Sequence, residues 1–347
     1  MSVQHFGTIA NAAHDRFVRK LSDETLRRHV AVGMMNSKGR IEFGCDGTQL
    51  TWPIKFKRNT LQTYQDAQEV VFSRKQPYKR ATLDWRAYDM NDVVTEMELL
   101  TTRSRSALFK LYEQKEASIQ EDFLAEFNGE FFQTGTDGLR MEGIYAIFDD
   151  YTKASGSKEG VHSGTYATLN QKLGTYGGTT LNDPEYGFWT PTIVNWNSSA
   201  WAAGAGPTFA SNAFETARYG IVRTCRRNNK AAYVDYITYC IDWYTEFLNA
   251  FDTKEQIYTS KGGKGTVGGL GFTAIMFDGV EITWEEDVPD NFAFGVNIDQ
   301  MGLKVLGDEL VTYRHEWDIR QKAYLMDVGI YGNFWFNPQH FFMIVEV

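Results

Sequence analysis

No glycine or proline occurs between Tyr78 and Asn128, and the second half of this stretch is rich in good helix formers. Apolar residues recur there mostly at three- and four-residue steps, and charged and amide residues fall on the opposite side. The apolar series is Leu108, Leu111, Tyr112, Ile119, Phe123, Phe127 and Phe131, and the opposite series is Arg103, Lys110, Gln114, Glu121 and Asn128. We therefore predict one long amphipathic helix over residues 91–132, ended by Gly129 and the turn at 134–138. About 28 helical residues would span roughly 42 Å, the width of a small domain.

Composition places the chain among folded proteins with a large core. Of the 347 residues, 43% are hydrophobic and 15% aromatic. No apolar run approaches the roughly 20 residues that cross a bilayer, and the first residues lack a secretory signal, so we expect no membrane association. Cys45, Cys225 and Cys240 have no CxxC spacing, which indicates packing residues and neither a disulfide framework nor a zinc site.

Charge is distributed unevenly along the chain. Residues 1–90 hold 15 Lys and Arg against 9 Asp and Glu, a net charge of +6, whereas the whole chain carries −9 and residues 91–347 therefore −15. A basic N-terminal quarter on an acidic body is typical of an arm that meets nucleic acid or an acidic neighbour, or of ordinary solvated surface.

The order of predicted elements indicates an α+β fold. Residues 1–40 form an arm with one short helix over 23–32 and little core of its own, and the alternating segments 48–56 and 80–88 form a two-stranded ribbon. After the long helix we predict a short helix within 138–151 and a loop-dominated segment to about 206. A helix–strand–helix unit follows at 210–227, 233–240 and 242–251. The last predicted strands are 272–277, 281–284, 291–298, 323–331 and 341–347.

No sequence motif lies in the structural context that its catalytic or binding function would need. The GxGxxG match at 263–268 lacks a preceding strand, which favours a Gly-rich loop. The acidic groups Asp149–Asp150 and 285–287 are typical of solvated turns, with binding of a divalent cation as the alternative. His315 and His340 have no Ser or Cys partner nearby in sequence. Arg223, Arg226, Arg227 and Lys230 complement the negative end of a helix, with phosphate binding as the alternative. We therefore assign no catalytic residue, metal ligand or cofactor.

The succession of parts resembles the major capsid proteins of tailed bacteriophages, which have the HK97-like fold. The resemblance covers nearly the whole chain. It rests on the ribbon, on the long helix TEMELLTTRSRSALFKLYEQKEASIQEDFLAEF, on YVDYITYC with IDWYTEF, and on GFTAIMFDGVEITWEEDVPDNFAFGVNI. The Asn337–Pro338 pair before the final strand also fits the family, whose pattern is one of architecture and not of invariant residues.

The resemblance implies a domain division and a set of partners. Residues 1–40 would be the N-terminal arm, 41–90 the extended loop, 91–137 and 316–336 the peripheral domain with its spine helix, and 138–315 and 337–347 the axial domain. Copies of the chain would form hexamers and pentamers of an icosahedral shell around double-stranded DNA, assembled in the host bacterial cytoplasm. A portal and a decoration protein would be further partners. The short arm implies a separate scaffolding protein.

Two sets of basic residues are the predicted sites. Lys57, Arg58, Arg74 and Lys75 lie at the ribbon tip, where we expect them to contact an acidic surface of a neighbouring subunit. Arg16, Arg19, Lys20, Arg27 and Arg28 lie in the arm and are expected to face the lumen and its DNA; pairing with acids of the long helix, such as Glu116 or Glu121, is the alternative.

Two other functions remain open at this point. An encapsulin-type nanocompartment has the same fold and encloses protein instead of DNA. A cytosolic α+β hydrolase would use the ribbon as a flap and residues 150–206 as a lid.

Overall fold

The computed structural model describes residues 30–55, 61–66, 78–101, 105–133, 138–148, 158, 168–169, 191–206, 208–227, 234–252 and 275–347. The helices are α1 (Val30–Ser37), α2 (Glu96–Thr101), α3 (Arg105–Phe131), α4 (Ala213–Arg227) and α5 (Ile241–Asp252). The strands up to the middle of the chain are β1 (Ile41–Glu42), β2 (Leu50–Lys55), β3 (Tyr78–Leu83), β4 (Arg86–Thr95), β5 (Thr168–Leu169), β6 (Thr192–Asn195) and β7 (Tyr236–Tyr239). The remaining strands are β8 (Ile275–Phe277), β9 (Val280–Trp284), β10 (Phe292–Val296), β11 (Met301–Val305), β12 (Thr312–Asp318), β13 (Ala323–Phe336) and β14 (Phe342–Val345). The predicted α+β class is confirmed.

A five-stranded sheet is built around the long strand β13. One edge of β13 pairs antiparallel with β4 from Ala323 to Gly332, and the other edge pairs with β12 and then with β11. The short strand β1 joins β11 in parallel at the margin of the sheet. The strands β11 and β12 were not predicted from the sequence. They pair with the edge of β13 opposite β4, for which the sequence had predicted no partner strand.

The predicted start of the long helix is wrong. Residues 91–95 continue β4, and Val94 is fully buried opposite Tyr324 of β13. Val93 and Val94 are β-branched residues, which suit a strand, and the pairing with a partner more than 200 residues away outweighs the absence of a helix breaker. A short helix, α2, follows, and the long helix α3 begins at Arg105.

The helix α3, hereafter the spine helix, packs on the same sheet. Ile119, Phe123, Phe127 and Phe131 are buried at four-residue steps, which confirms the predicted apolar stripe over this half of the helix. Phe131 contacts Phe334 of β13 edge to face, with ring centroids 5.4 Å apart. Asn128 was predicted on the polar side, and this is wrong: it is buried, because the C-terminal turn of the helix meets a second sheet.

The second sheet has six strands in the order β6, β14, β10, β7, β9 and β8. It mixes parallel pairs (β6 with β14, β7 with β9) and antiparallel pairs. Helices α4 and α5 pack on it, so the predicted helix–strand–helix unit at 210–251 is confirmed. Phe132 and Phe148 contact Phe294 of β10 and join the spine helix and the short 3-10 helix Ile144–Phe148 to this sheet.

The predicted ribbon is confirmed. β2 and β3 pair antiparallel from Leu50–Leu83 to Lys55–Tyr78, and β5 adds two residues to β3. The side chains of Leu50, Trp52 and Ile54 alternate with more exposed ones and are buried. The base of the ribbon therefore packs against the body of its own subunit.

The part of the arm that the structure describes has more core than predicted. The residues of α1 from Val30 to Met35 are buried. Two ion pairs attach the residues that follow this helix to the body of the subunit. Lys38 Nζ lies 2.6 Å from Asp235 Oδ1, and Arg40 lies 3.3 Å from Asp299 Oδ1. Of the predicted helix at 23–32, residues 30–32 are described and are helical.

Candidate functional site

The predicted site residues lie outside the described residues. This holds for Lys57, Arg58, Arg74 and Lys75 of the ribbon tip, and for Arg16, Arg19, Lys20, Arg27 and Arg28 of the arm. The described part of the molecule instead shows what supports these segments and which neighbouring surfaces are exposed.

The outer part of the ribbon exposes apolar side chains. Leu61 is 95% exposed, and Tyr64 and Tyr78 are also well exposed. The same ribbon buries Trp52 and Ile54 at its base. A segment that is anchored at one end and presents apolar side chains at the other is suited to lie on a second surface. The sequence-based prediction for this tip rests on its basic residues alone, and these apolar side chains were missed.

A second exposed apolar group lies at one end of the five-stranded sheet. Met97 and Leu100 of α2 are exposed, and Ile319, in the turn between β12 and β13, is 80% exposed. The backbone N–H of Glu96 donates to the carbonyl of Lys322 at 2.9 Å, which places the start of α2 against this turn.

The start of α2 is fixed by a capping box. The backbone N–H of Glu98 donates to Thr95 Oγ1 at 3.3 Å, and the backbone N–H of Thr95 donates to Glu98 Oε2 at 3.0 Å. Because the helix start and the turn are both held, Met97, Leu100 and Ile319 are displayed on well-supported backbone. The Thr-x-x-Glu spacing is a signal that sequence reasoning missed.

A cavity of about 240 Å³ lies between the spine helix and β4, lined by Tyr88, Phe123, Phe127, Glu130 and Arg140 among others. Tyr88 donates its hydroxyl to Glu130 and accepts from the backbone N–H of Met141, and Arg140 lies 3.5 Å from Glu130. Burial and the bond to Glu130 raise the pKa of Tyr88, so its hydroxyl stays protonated and serves as a donor. The residues of this cavity join the end of the helix to β4 and to residue 141.

Burial shifts the pKa of three titratable residues that the sequence singled out. Burial lowers the pKa of His340 to about 4, so this ring is neutral at pH 7. Burial raises the pKa of the Cys45 and Cys225 thiols, which disfavours the nucleophilic thiolate. His315 lies on β12 opposite Met326.

The structure describes only some of the groups considered for metal or phosphate binding. Within the described residues, no group of three or more His, Cys, Asp or Glu side chains is placed to hold a metal ion. Of the acids at 285–287, Glu285 is buried whereas Glu286 and Asp287 are exposed; Asp149 and Asp150 lie outside the described residues. Arg223 is half-buried on α4, which ends at Arg227 as predicted, and Lys230 is outside the described residues. None of the helices in the described part is long and apolar enough to cross a membrane.

Comparison with known proteins identifies the fold. No protein-family model and no curated protein matches this sequence. Solved structures of phage capsids match nearly the whole chain. The capsid of cyanophage A-1(L) is 13% identical with a TM-score of 0.55, over 89% of this chain and 90% of that chain. The mature capsid of bacteriophage PhiM1 is 10% identical with a TM-score of 0.52, over 89% and 86%.

A capsid of a native GTA particle is also similar, at 10% identity and a TM-score of 0.52, over 90% of both chains. At such low identity the likeness shows the fold alone. The chain therefore has the HK97-like fold of phage capsid proteins, and the resemblance inferred from the sequence is confirmed for the fold.

Proposed function

We propose that this chain is the major capsid protein of a tailed bacteriophage and that many copies of it form an icosahedral shell around double-stranded DNA. The observation that carries the proposal is the match of about nine tenths of the chain to phage capsid structures that are themselves covered to a similar extent.

The exposed surfaces support self-association. The apolar group Met97, Leu100 and Ile319 and the ribbon residues Leu61 and Tyr64 are displayed to solvent in one subunit. Aromatic and methionine side chains are enriched at protein interfaces, and burial of apolar area drives association. In this assignment the ribbon of one subunit lies on its neighbour, with Lys57, Arg58, Arg74 and Lys75 contacting acidic residues there.

The domain division follows the same assignment. Residues 1–40 are the arm, 41–90 the extended loop, 91–137 and 316–336 the peripheral domain, and 138–315 and 337–347 the axial domain. The packing of the spine helix on β13, which lies entirely within 316–336, supports the peripheral part of this division. A portal, a scaffolding protein and a decoration protein are the further partners that a shell of this kind implies, and the host cytoplasm is the place of assembly.

The arm is assigned to the lumen. Residues 1–40 hold seven Lys and Arg against three Asp and Glu, a net charge of +4. Lys38 and Arg40 are engaged with Asp235 and Asp299 of the body, so the charge available to DNA lies on Arg16, Arg19, Lys20, Arg27 and Arg28. Contacts of this kind are directed at phosphate and independent of sequence. They would offset the repulsion between the acidic body and its contents.

Negative-stain imaging and analytical ultracentrifugation of the purified chain test the proposal. We expect closed shells, or the hexamers and pentamers that build them, at near-physiological salt. A single monomeric species of 39.6 kDa under these conditions would overturn it. Fold alone does not separate a capsid from an encapsulin-type shell. Packaged nucleic acid supports the proposal, whereas a packaged enzyme would show the nanocompartment, and small discrete oligomers with hydrolytic activity would show the enzyme.

A further inference from the structure

One edge of the five-stranded sheet is open. Among the described strands, β4 pairs with β13 alone and forms this edge. The backbone N–H of Glu96, just after β4, donates across this pairing to Lys322. In an antiparallel pair the even-numbered residues of β4 therefore bond to β13, and the odd-numbered ones direct their backbone groups away from it. The outward N–H groups without a hydrogen-bond partner in the described part of the chain are those of Ala87, Asp89 and Asn91.

The open part of this edge has a defined end. Further along β4, the backbone N–H of Val93 donates to Asp92 Oδ1 at 2.7 Å, and the backbone N–H of Thr95 donates to Glu98 Oε2 at 3.0 Å. Local side chains thus occupy the last two outward donors. Residues 87–91 keep three outward donors at a spacing of two residues, which is the pattern that an added strand pairs with.

The cavity between the spine helix and β4 reaches this edge. The side chain of Tyr88 faces the helix and lines the cavity, and Phe123 and Phe127 form its apolar wall. Asp89 also lines it, although alternation along the strand directs its side chain to the other face of the sheet, where it is hydrogen bonded with Asp327. The backbone of Asp89 at the open edge is therefore the part that borders the cavity.

The size and charge of the cavity favour a peptide side chain over a small molecule. Its volume of about 240 Å³ is below the roughly 300–1,000 Å³ of sites for small ligands and cofactors. Glu130 is buried and already bonded to Tyr88 and Arg140, whereas Glu126 and Asp89 are exposed acids beside the cavity. A segment that carries an apolar side chain followed by basic ones is complementary to this surface.

We propose that the open edge of β4 (residues 87–91) and the cavity beside it form a groove that accepts residues 69–75 of a second copy of the chain as an added strand. This inference rests on the proposed self-assembly, and it names the surface on which the ribbon of a neighbour lies. The segment 69–75 is outside the described residues. Its sequence, EVVFSRK, has β-branched and aromatic residues that favour a strand, followed by two basic residues.

Alternation within the added strand matches the groove. Phe72 and Arg74 lie on the same side of a strand, and Lys75 lies on the other side. On the helix side, Phe72 enters the cavity and Arg74 reaches the exposed Glu126. Lys75 then lies on the face of the sheet that carries Asp89. The main-chain bonds give affinity, and the cavity and the acids give specificity.

The ribbon geometry favours a second copy over the same subunit. The pairing of β2 with β3 runs from Leu50–Leu83, close to the start of β4, to Lys55–Tyr78. Tyr78 is five strand residues before Leu83, which is a distance of about 17 Å along the strand. Residues 69–75 precede Tyr78, so they join the paired ribbon at the end far from the β4 of their own subunit.

Pairing of two β4 edges with each other is a poorer alternative. In an antiparallel pair of the two open stretches, centred on residue 89, each Asp89 would lie opposite its own copy. Like charges directly opposite one another are destabilising. Charged side chains on an edge strand also protect against such self-pairing. A basic segment gains from the same charges.

A fluorescent peptide of residues 67–77 tests the groove directly, with the full-length protein kept below its assembly concentration. Fluorescence anisotropy should show binding to the wild type. Asn91→Pro should weaken binding about tenfold, because proline removes one outward donor while the bonds to β13 stay intact. Val93→Pro is the matched control and should bind as the wild type does, since the N–H of Val93 is already bonded to Asp92. Circular dichroism checks that both variants are folded.

A second peptide tests the cavity. The same peptide with Phe72→Ala should bind the wild type about tenfold less tightly or worse, because an aromatic anchor is lost. Equal binding of the two peptides, or equal binding of the first peptide to the wild type and to Asn91→Pro, would overturn the proposal.

Cross-linking tests the pairing between copies in assembled particles. Ala87→Cys is combined in turn with a cysteine at each of residues 71–75, and the particles are oxidised. A disulfide requires Cβ atoms about 4 Å apart, so positions of one parity should give a ladder of linked chains on a non-reducing gel. The parent protein, which has Cys45, Cys225 and Cys240, is the control and should give no ladder.

The outcomes separate this inference from the proposed function. Shells that form normally but give no ladder at any position overturn the strand pairing and leave the proposed function intact. A disulfide within one chain alone shows that the ribbon folds back on its own subunit, which also overturns the pairing. Peptide binding by a chain that never forms shells supports the groove and overturns the proposed function. If Asn91→Pro does not fold, the cross-link decides, because it does not use that variant.

Discussion

The indole N–H of Trp52 donates to Oδ1 of Asn337 at 3.1 Å, which joins the base of the ribbon to a residue 285 positions later in the chain. Asn337 Nδ2 donates in turn to Gln300 Oε1 at 2.9 Å, and the Trp52 ring lies 5.9 Å from that of Trp335. The root of the ribbon is thus fixed to the body by one side chain that bonds in two directions. This gives a physical role to Asn337 of the Asn337–Pro338 pair, which the sequence resemblance had singled out.

Asn337→Ala should weaken this attachment. The substitution removes the acceptor of Trp52 and the donor to Gln300 in a largely buried place, so we expect the free energy of unfolding to fall by about 1–3 kcal/mol. Chemical denaturation measures the change. Gln49→Ala is the matched control, since Gln49 Nε2 donates to Asp84 Oδ1 on the exposed part of the same ribbon. It should change stability by no more than about 0.5 kcal/mol. Equal effects of the two variants would contradict the anchoring role of Asn337.

Two glycines of long helices should respond in opposite ways to alanine. A Cβ at Gly220 of α4 would lie 2.6 Å from the ring of Phe342 on β14, whereas a Cβ at Gly129 of the spine helix would meet no atom within 4 Å. We expect Gly220→Ala to lower the free energy of unfolding by about 1–3 kcal/mol through overpacking. Gly129→Ala should raise it by up to about 1 kcal/mol, because alanine loses less backbone entropy in a helix. A thermal unfolding series with both variants tests this, and a stabilised Gly220→Ala protein would show that α4 and β14 are less tightly packed.

A pair of carboxyl groups on the five-stranded sheet predicts a pH effect. Burial and a hydrogen bond with Asp89 of β4 raise the pKa of Asp327 on β13 to about 6, and Arg314 of β12 opposes the shift. The folded state therefore holds a proton that the unfolded chain releases, and this pair makes stability fall as pH rises from about 4 to 6. Asp89→Asn should remove that slope, because the amide donates to the Asp327 carboxylate.

The measurement for this pair is a difference curve of thermal midpoints against pH. His340, whose pKa burial lowers to about 4, contributes stability that is lost as pH falls from about 6.5 to 4, so the wild-type curve alone mixes opposite slopes. Subtracting the Asp89→Asn curve from the wild-type curve leaves the contribution of the Asp89–Asp327 pair. Asp46→Asn, in an exposed loop, is the control and should run parallel to the wild type. An Asp89→Asn curve parallel to the wild type would show that the two carboxyl groups do not share a proton.

Local pattern predicted the elements that carry their own periodicity. The stripe at Ile119, Phe123, Phe127 and Phe131 and the alternation through Trp52 are properties of consecutive residues, and both were predicted correctly. The local pattern gave the wrong secondary structure where pairing with a segment far along the chain determines it. Val94 is in a strand because β13 pairs with it, and β6 lies buried in a segment whose Gly, Ser and Thr content predicted a loop.

The same reason applies to the candidate sites. Asn128 was placed on the polar face because its helical neighbours are charged, yet it bonds to Asp287, 159 positions later. The burial of Glu285 was missed because two exposed acids follow it in the sequence. The basic residues of the arm and the ribbon tip remain predictions of charge pattern alone.

The arm should be protected inside intact particles. If residues 1–29 face the lumen, trypsin should not cut after Arg16, Arg19 or Lys20 until the shell is opened, and cleavage should then be fast. Mass spectrometry of the fragments gives the result. Arg320 is exposed in the turn between β12 and β13. Cleavage after Arg320 in opened particles is the internal control that trypsin is active. Rapid cleavage at the three arm sites in intact, DNA-filled particles would show that the arm lies outside.

Reversal of charge at the ribbon tip should slow assembly without unfolding the subunit. We expect Arg74→Glu with Lys75→Glu to reduce the rate of shell formation at low salt, because charges at the rim of an interface mainly set association rates. The matched variant Arg74→Gln with Lys75→Gln keeps the side-chain length but removes the attraction without adding repulsion, so its rate should lie between the two. Raising the salt concentration should bring the three rates together, since screening acts on exposed charges. Light scattering follows assembly, and circular dichroism checks that the fold is intact. Equal rates for the three proteins at low salt would show that the tip does not meet an acidic surface.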